Sequence, residues 1–328
     1  MSQLQAKIYT SGDPLPTRLL ETNYFHSASF FVLCQQTPRH RPYMITLEET
    51  DGTIVAQMLA VVRYRSSWFP PYYYMHCRIL GEGIYQTADK TTAQEHFGLL
   101  IGALTSKLGR RMLYVEVSHL SSKMFGYRQL RDNRYFPVRW MSIHNSLHSR
   151  APEERISASL QQRIDTAYRR GAITDEVKTE ADLSEFIKLL RHHNWLKPKR
   201  YIPPDEFFKQ LNLQPENCRL ALTRYKHHIV GCSAVIYSHR QAYLFYAAYR
   251  RKTYAIVHPR ELTIWHAIKD AHQRGYEHIF FMDVGLPFRK NKFRDFILRF
   301  GGKPVSTYRW FRCSIKWINS LLSWYYRD

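Results

Sequence analysis

The chain has 328 residues, of which 45% are hydrophobic and 15% aromatic, enough for two domain cores and too apolar for a disordered chain. Lys and Arg number 48 against 27 Asp and Glu, a formal charge of +21, which disfavours cationic partners and attracts nucleic acid, anionic lipid or phosphorylated metabolites. No apolar run reaches the roughly 18 residues of a membrane span, the start MSQLQAKIYTSGDPLP has no signal-peptide core, and Cys34, Cys77, Cys218, Cys232 and Cys313 form no CxxC pair, so a cytoplasmic protein without a metal site is expected.

In chain order, DGTIVAQMLAVV (51–62) is a polar turn followed by a β-branched strand, and PYYYMHCRIL (71–80) is an aromatic strand. In TTAQEHFGLLIGALTSKL, Phe97, Ile101, Leu104 and Leu108 recur at helical spacing. LYVEV is a strand ending near Glu116, with Lys123 seven residues beyond that acid, and a closing strand carries Arg139-Trp140. A connector follows, EERISASLQQRIDTAYRRG, with Ile156, Leu160, Ile164 and Tyr168 on one helical face. A second helix, DLSEFIKLLRHHNW, has Asp182 as its expected N-cap.

The same order then recurs. KHHIVGCSAVIY (226–237) repeats the turn and strand, with Val230 lying 175 residues after Val55. QAYLFYAAY (241–249) repeats the aromatic strand, and HPRELTIWHAIKDAHQRG repeats the helix. In that helix Leu262, Trp265, Ile268 and Ala271 form the stripe, Pro259 marks the start and Gly275 the end. IFFMDV places Asp283 167 residues after Glu116, with Lys290 again seven beyond, and Arg309-Trp310 closes the half 170 residues after Arg139-Trp140. Five features in one order at nearly constant offset predict a duplicated α/β unit with mixed sheets, divided as 1–150 and 151–328.

Several residues carry candidate chemistry. Asp283 sits at a strand end in an apolar run, where a partly desolvated carboxylate serves as base or orients an amine, or else caps the next turn. Glu116 is its counterpart. His258, before the helix start, is a proton acceptor or a plain capping residue. Arg250, Arg251, Tyr254, His258 and Arg260 surround a helix N-terminus, suited to phosphate or merely a solvated basic loop. Residues 289–316 hold nine cations against the single acid Asp295. Of these, Arg289, Lys290, Lys292, Arg294 and Arg299 are the candidate polyanion surface. The tail WFRCSIKWINSLLSWYYRD mixes Trp310, Trp317, Trp324, Tyr325 and Tyr326 with cations, either an interfacial amphipathic segment or a packed last strand and helix. The His192-His193 and His227-His228 pairs have no carboxylate at metal spacing and read as surface residues.

The segments RRGAITDEVKTEADLSEFIKLL, IVGCSAVIY, HPRELTIWHAIKDAHQRGY and FMDVGLPFRKNKFRDFILRFGGKP resemble the GNAT-like fold. The duplication resembles the tandem form in Fem peptidoglycan-bridge aminoacyltransferases and the related BioF2-like acetyltransferases. The likeness is fullest over 150–328 and thinner over 20–150. It implies an enzyme moving an acyl or aminoacyl group onto an amine, with no tightly bound cofactor. The donor is then acyl-CoA, or aminoacyl-tRNA in a Fem-like ligase, and the acceptor an amine on a lipid, cell-wall or polysaccharide precursor. An anionic acceptor implies a protein peripheral to the inner face of the membrane. By the same resemblance Arg78-Ile-Leu-Gly81-Glu-Gly83 matches the R-x-x-G-x-G pattern that cradles CoA pyrophosphate, or is a simple glycine turn. Family members often carry a lysine before Phe-Gly-Gly; here Ile297 stands in its place, with Lys292, Arg294 or Arg299 as substitutes. The coiled-coil arm of Fem proteins has no counterpart. These departures leave a third reading, a non-catalytic module for polyanions or membranes.

Overall fold

The computed structural model describes residues 4–67, 71–195, 201–250, 254–282 and 284–326. The elements run β1 (Gln5–Tyr9), α1 (Ala28–Gln36), β2 (His40–Glu48), β3 (Ile54–Ser67), β4 (Tyr72–Leu80), β5 (Ile84–Tyr85), α2 (Lys90–Leu108), β6 (Tyr114–Ser118), α3 (Tyr127–Asp132), β7 (Phe136–Ser146), α4 (Ala158–Arg169), β8 (Ala172–Glu176), α5 (Glu180–Asn194), α6 (Asp205–Asn212), β9 (Cys218–Tyr225), β10 (His228–Ser238), β11 (Gln241–Tyr249), α7 (Pro259–Gln273), β12 (His278–Phe281), α8 (Lys292–Leu298), β13 (Lys303–Cys313) and α9 (Lys316–Tyr325). The fold is mixed α/β, as the alternation of periods in the sequence requires.

Two compact units result, one of Met1–Trp140 with Ser306–Asp328, the other of Met141–Val305. In the first, β1 to β4 form an antiparallel run, β6 lies parallel to β4, and β13 adds antiparallel to β6. In the second, β8 to β11 form the antiparallel run, β12 lies parallel to β11, and β7 adds antiparallel to β12. The topologies match, but each closing strand comes from the other half of the sequence. The units therefore differ from the expected division at 150. Trp310 to Cys313 pair with Tyr114 to Val117, and Ile143 to Ser146 pair with His278 to Phe281, because ladder hydrogen bonds rather than chain order decide where a strand belongs.

Each unit has its own core. Phe97, Ile101, Leu104 and Leu108 of α2 are buried among Ile45, Met58, Val62 and Ile79 in the first. Leu262, Trp265, Ile268 and Ala271 of α7 are buried among Val235, Leu244, Ile279 and Phe281 in the second. Each such aliphatic or aromatic side chain contributes roughly 1.5–3 kcal/mol on burial. The approach of α7 to β10 depends on Gly231, where a Cβ would lie 2.0 Å from Thr263 Oγ1. Pro259 opens α7, and Gly275 at φ 79° closes it, with Tyr276 N–H donating to Ala271 O at 3.1 Å and Gly275 N–H to His272 O at 2.9 Å. For α5 the N-cap is Thr179 rather than Asp182: Thr179 Oγ1 accepts from Asp182 N–H at 3.1 Å. Asp182, inside the first turn, accepts from Lys178 N–H at 3.4 Å and pairs with Arg224 at 2.6 Å. Thr179 thus caps the helix while Asp182 reaches back to the residue before the cap, so a search for a single cap residue misplaces it by three positions.

Candidate active site

In the second unit the described ladder between β11 and β12 runs from Gln241–His278 to Leu244–Phe281, and β11 extends beyond it to Tyr249. The chain then turns through Ala255–Val257 into α7, whose N-cap His258 adopts left-handed backbone (φ 44°, ψ 56°) and supplies no side-chain cap. The start of α7 thus presents its positive dipole end, about half a unit charge, beside the open edge of β11. A pocket of about 730 Å³ lies there, lined by residues from α5, β11, the start of α7 and the segment entering α8.

That last segment is assembled by side chains. Asn291 caps α8, accepting from Phe293 N–H at 2.9 Å and Arg294 N–H at 3.2 Å, while its amide donates to Val284 O at 2.8 Å. Arg294 donates to Leu286 O and Arg289 O, both at 2.9 Å, which fixes the loop ahead of the helix. Arg260 reaches across from α7, its guanidinium 3.5 Å from the Phe296 ring centroid and donating to Lys292 O at 3.2 Å. Arg260 and Arg294 therefore shape the wall, and the exposed Lys290 and Lys292 supply charge at its rim. Arg250, exposed at the end of β11, donates from Nε to Ile229 O at 2.9 Å and adds a third rim cation. Glu261, in the first turn of α7, is the carboxylate of the described lining.

His193 enters this pocket from α5, contrary to its reading as a surface residue; His192 beside it is exposed. Its Nδ1 lies 2.9 Å from Tyr249 O and 3.3 Å from Tyr249 N, and the two rings pack edge to face at 4.7 Å. Nδ1 thus faces both the carbonyl and the N–H of Tyr249, which fixes the ring in the pocket wall. The want of a carboxylate at metal spacing made both histidines read as surface residues; the end of β11 at Tyr249 is what encloses one of them.

The structure brings together His258, Arg250, Arg260, Lys290 and Lys292 from the sequence candidates. Arg294 stands behind the loop, Arg289 is exposed, and the exposed Arg299 lies 5.9 Å from the Phe296 ring. Tyr254 packs against Tyr225 and His228, at ring distances of 6.3 and 5.6 Å. Asp283 and Arg251 lie outside the described residues. Ile297, where the resembled family carries lysine, is fully buried in the second core. No charge can be accommodated there without several kcal/mol.

The first unit is built differently at the matching place. β4 and β6 stay paired to Leu80–Ser118, and Gly81 N–H continues the ladder to Ser118 O at 2.7 Å. Glu116 is buried between Arg78 and Arg309, each at 3.4 Å, and Arg309 stacks on Trp140 at 4.0 Å. A Cβ at Gly83 would meet Gln57 O at 2.6 Å, and one at Gly81 would meet His26 Nε2 at 3.2 Å. Arg78, Gly81, Gly83 and Glu116 are thus engaged in an ion-paired strand junction and a tight turn. Among the described residues no group of His, Cys, Asp and Glu has metal-binding geometry, and no helix is long and apolar enough to cross a membrane.

Residues 155–290 match the family model for the acetyltransferase (GNAT) domain. No curated protein matches the sequence. Among solved structures the chain is similar to FemX, with 9% identity, 90% of this chain and 93% of that one covered, and a TM-score of 0.64. It is similar to L-PGS from Bacillus licheniformis, with 12% identity, coverage of 91% and 93%, and a TM-score of 0.57. A tandem GNAT protein from the clavulanic acid biosynthesis pathway aligns at 7% identity, coverage of 94% and 99%, and a TM-score of 0.52. The matched segment contains β11, the start of α7 and Lys290, and both units repeat one topology, so the chain has a tandem GNAT-like fold in which residues 155–290 match a GNAT acetyltransferase domain.

Proposed function

We propose that this protein is an N-acyltransferase that takes an acyl group from acyl-CoA and delivers it to an amine on an anionic lipid, cell-wall or polysaccharide precursor. The observation that carries the reading is the second unit's pocket, where an uncapped helix start, the open edge of β11 and the cations Arg250, Lys290 and Lys292 converge. The donor's pyrophosphate sits at the helix start, where dipole and rim cations favour it. The acyl carbonyl lies along the open edge of β11, whose backbone N–H groups stabilise the developing oxyanion.

Glu261 holds the acceptor ammonium, and His193 takes the proton that the amine must shed. The amine nitrogen bonds to the thioester carbonyl carbon, the C–S bond breaks, and CoA leaves as a thiolate that picks up a proton. Asp283, two residues beyond β12, is a further proton acceptor on the sequence argument. Holding donor and acceptor in one pocket supplies most of the rate gain, since amine acylation asks little else of a protein.

A second reading, an aminoacyl-tRNA donor, is favoured by the fold likeness to FemX together with the charge of +21. A thermal-shift panel of CoA, acetyl-CoA, long-chain acyl-CoAs and charged tRNA separates the two. A ligand at 100 times its Kd stabilises by about 2.7 kcal/mol. A shift with acyl-CoA supports the first reading, a shift with charged tRNA alone supports the second, and no shift with either rejects both.

A further inference from the structure

The C-terminal helix of the first unit, α9, has no place in the transfer chemistry, and its exposed side chains are the wrong kind for a helix facing water. Trp317 is 69% exposed, Leu321 53% and Trp324 64%. Their i, i+4, i+7 spacing puts them within an arc of roughly 60° on one face. The orientation is fixed from the inner side. Asn319 is buried, accepts from Cys313 N–H at 2.8 Å and donates to Arg134 O at 3.0 Å. Ser323 accepts from Arg131 at 3.4 Å, and Tyr326 stacks on Phe136 at 6.0 Å. The helix therefore cannot roll to hide its tryptophans.

The apolar face continues past the helix start. Ile315 and Leu113 are 45% and 46% exposed, and Ser314 N–H donates to Leu113 O at 3.2 Å, joining the two segments. Exposed cations flank this stripe: Arg110 and Arg111 just before Leu113, and Lys316 beside Trp317. From 306 to 326 the sequence contains no Asp or Glu.

We propose that α9 and the adjoining Leu113–Ile315 edge form a docking surface for an anionic phospholipid bilayer. Ten residues make a helix of roughly 15 Å, too short to span a bilayer and suited to lying in its interface. Tryptophans are favoured at that depth because the ring is apolar and its N–H is polar. The flanking cations select anionic headgroups, each worth roughly fivefold in partitioning. A second copy of the chain would cover the apolar face but would gain nothing from a ring of like charge around it. The proposal stands apart from the acyl-transfer reading and survives if that reading fails.

The test is co-sedimentation of the full chain with vesicles of equal parts phosphatidylcholine and phosphatidylglycerol, and with phosphatidylcholine vesicles. The expected result is salt-sensitive binding to the anionic vesicles, reduced at least about tenfold in Trp317→Ser/Trp324→Ser and about fivefold or more in Lys316→Glu. Both variants should melt like the wild type, since the replaced groups face outward. Binding unchanged in a correctly folded double variant overturns the proposal. So does failure of the wild type to sediment with anionic vesicles, and so does a solution dimer that the double variant dissociates while vesicle binding is absent.

Discussion

Lowering the pH from 7.5 to 5.5 should destabilise the first unit through three buried histidines. His26, His40 and His76 are held neutral, with pKa values pushed down from 6.5 to about 3, about 2 and about 3, by burial first of all. Arg63 adds to the effect at His40 and His76. His26 also uses Nδ1 to accept from Leu59 N–H at 2.9 Å, a bond that protonation would break. The unfolded chain binds these protons near pH 6.5 and the folded chain does not, so stability is present above that value and falls as pH drops through 6.5 towards about 3. At pH 5.5 each histidine costs about 1.4 kcal/mol and the three together about 4 kcal/mol, or roughly 8–16 °C in Tm for a domain of this size. His144, His266 and His278 in the second unit are shifted the same way by burial, so a variant isolates the first unit's share. His76→Gln should be less stable at pH 7.5 yet lose about 1.4 kcal/mol less than the wild type on going to pH 5.5, read by urea unfolding at each pH. Equal wild-type stability at pH 5.5 and 7.5, or an unchanged slope in the variant, would refute the reasoning.

Other consequences are local. His193→Gln should lower kcat by roughly 10²–10⁴ with little change in donor KM. Asp283→Asn should abolish turnover with an unchanged melting curve; full activity would remove that residue from the site. Gly231→Ala should cost several kcal/mol in thermal unfolding, because the added methyl meets Thr263 Oγ1 at 2.0 Å across the β10–α7 contact. Removing residues 306–328 should destabilise the first unit by several kcal/mol in urea unfolding, since it takes away the strand that pairs with β6 and the buried Trp310.

Much of the fold is legible in the sequence because each repeated element announces itself locally. The stripes Phe97–Leu108 and Leu262–Ala271 are helical in period and buried as that period demands. Turns such as Lys226–His227 precede strands with no tertiary information needed. The exchange of β7 and β13 is not legible, because both closing strands carry the same Arg-Trp signature and pairing partners are set by the ladder. At the site, His258 is readable as part of a basic helix start, and Lys290 and Lys292 as part of a separate basic surface. His193 was not, since its enclosure depends on β11 outrunning β12, a register property that composition does not encode. Glu116 looked catalytic by symmetry with Asp283, whereas its two arginines come from β4 and β13, segments remote in sequence.

The central claim is that the second unit's pocket binds the phosphates of an acyl-CoA donor. Calorimetric titration of CoA into the wild type, into Lys290→Ala/Lys292→Ala, and into the charge-matched surface control Arg110→Ala/Arg111→Ala tests it most directly. Saturable one-site binding is expected, weakened roughly 10- to 100-fold in the pocket variant and unchanged in the control. Equal weakening in both variants would reduce the effect to general electrostatics, and undiminished binding in the pocket variant would contradict the account.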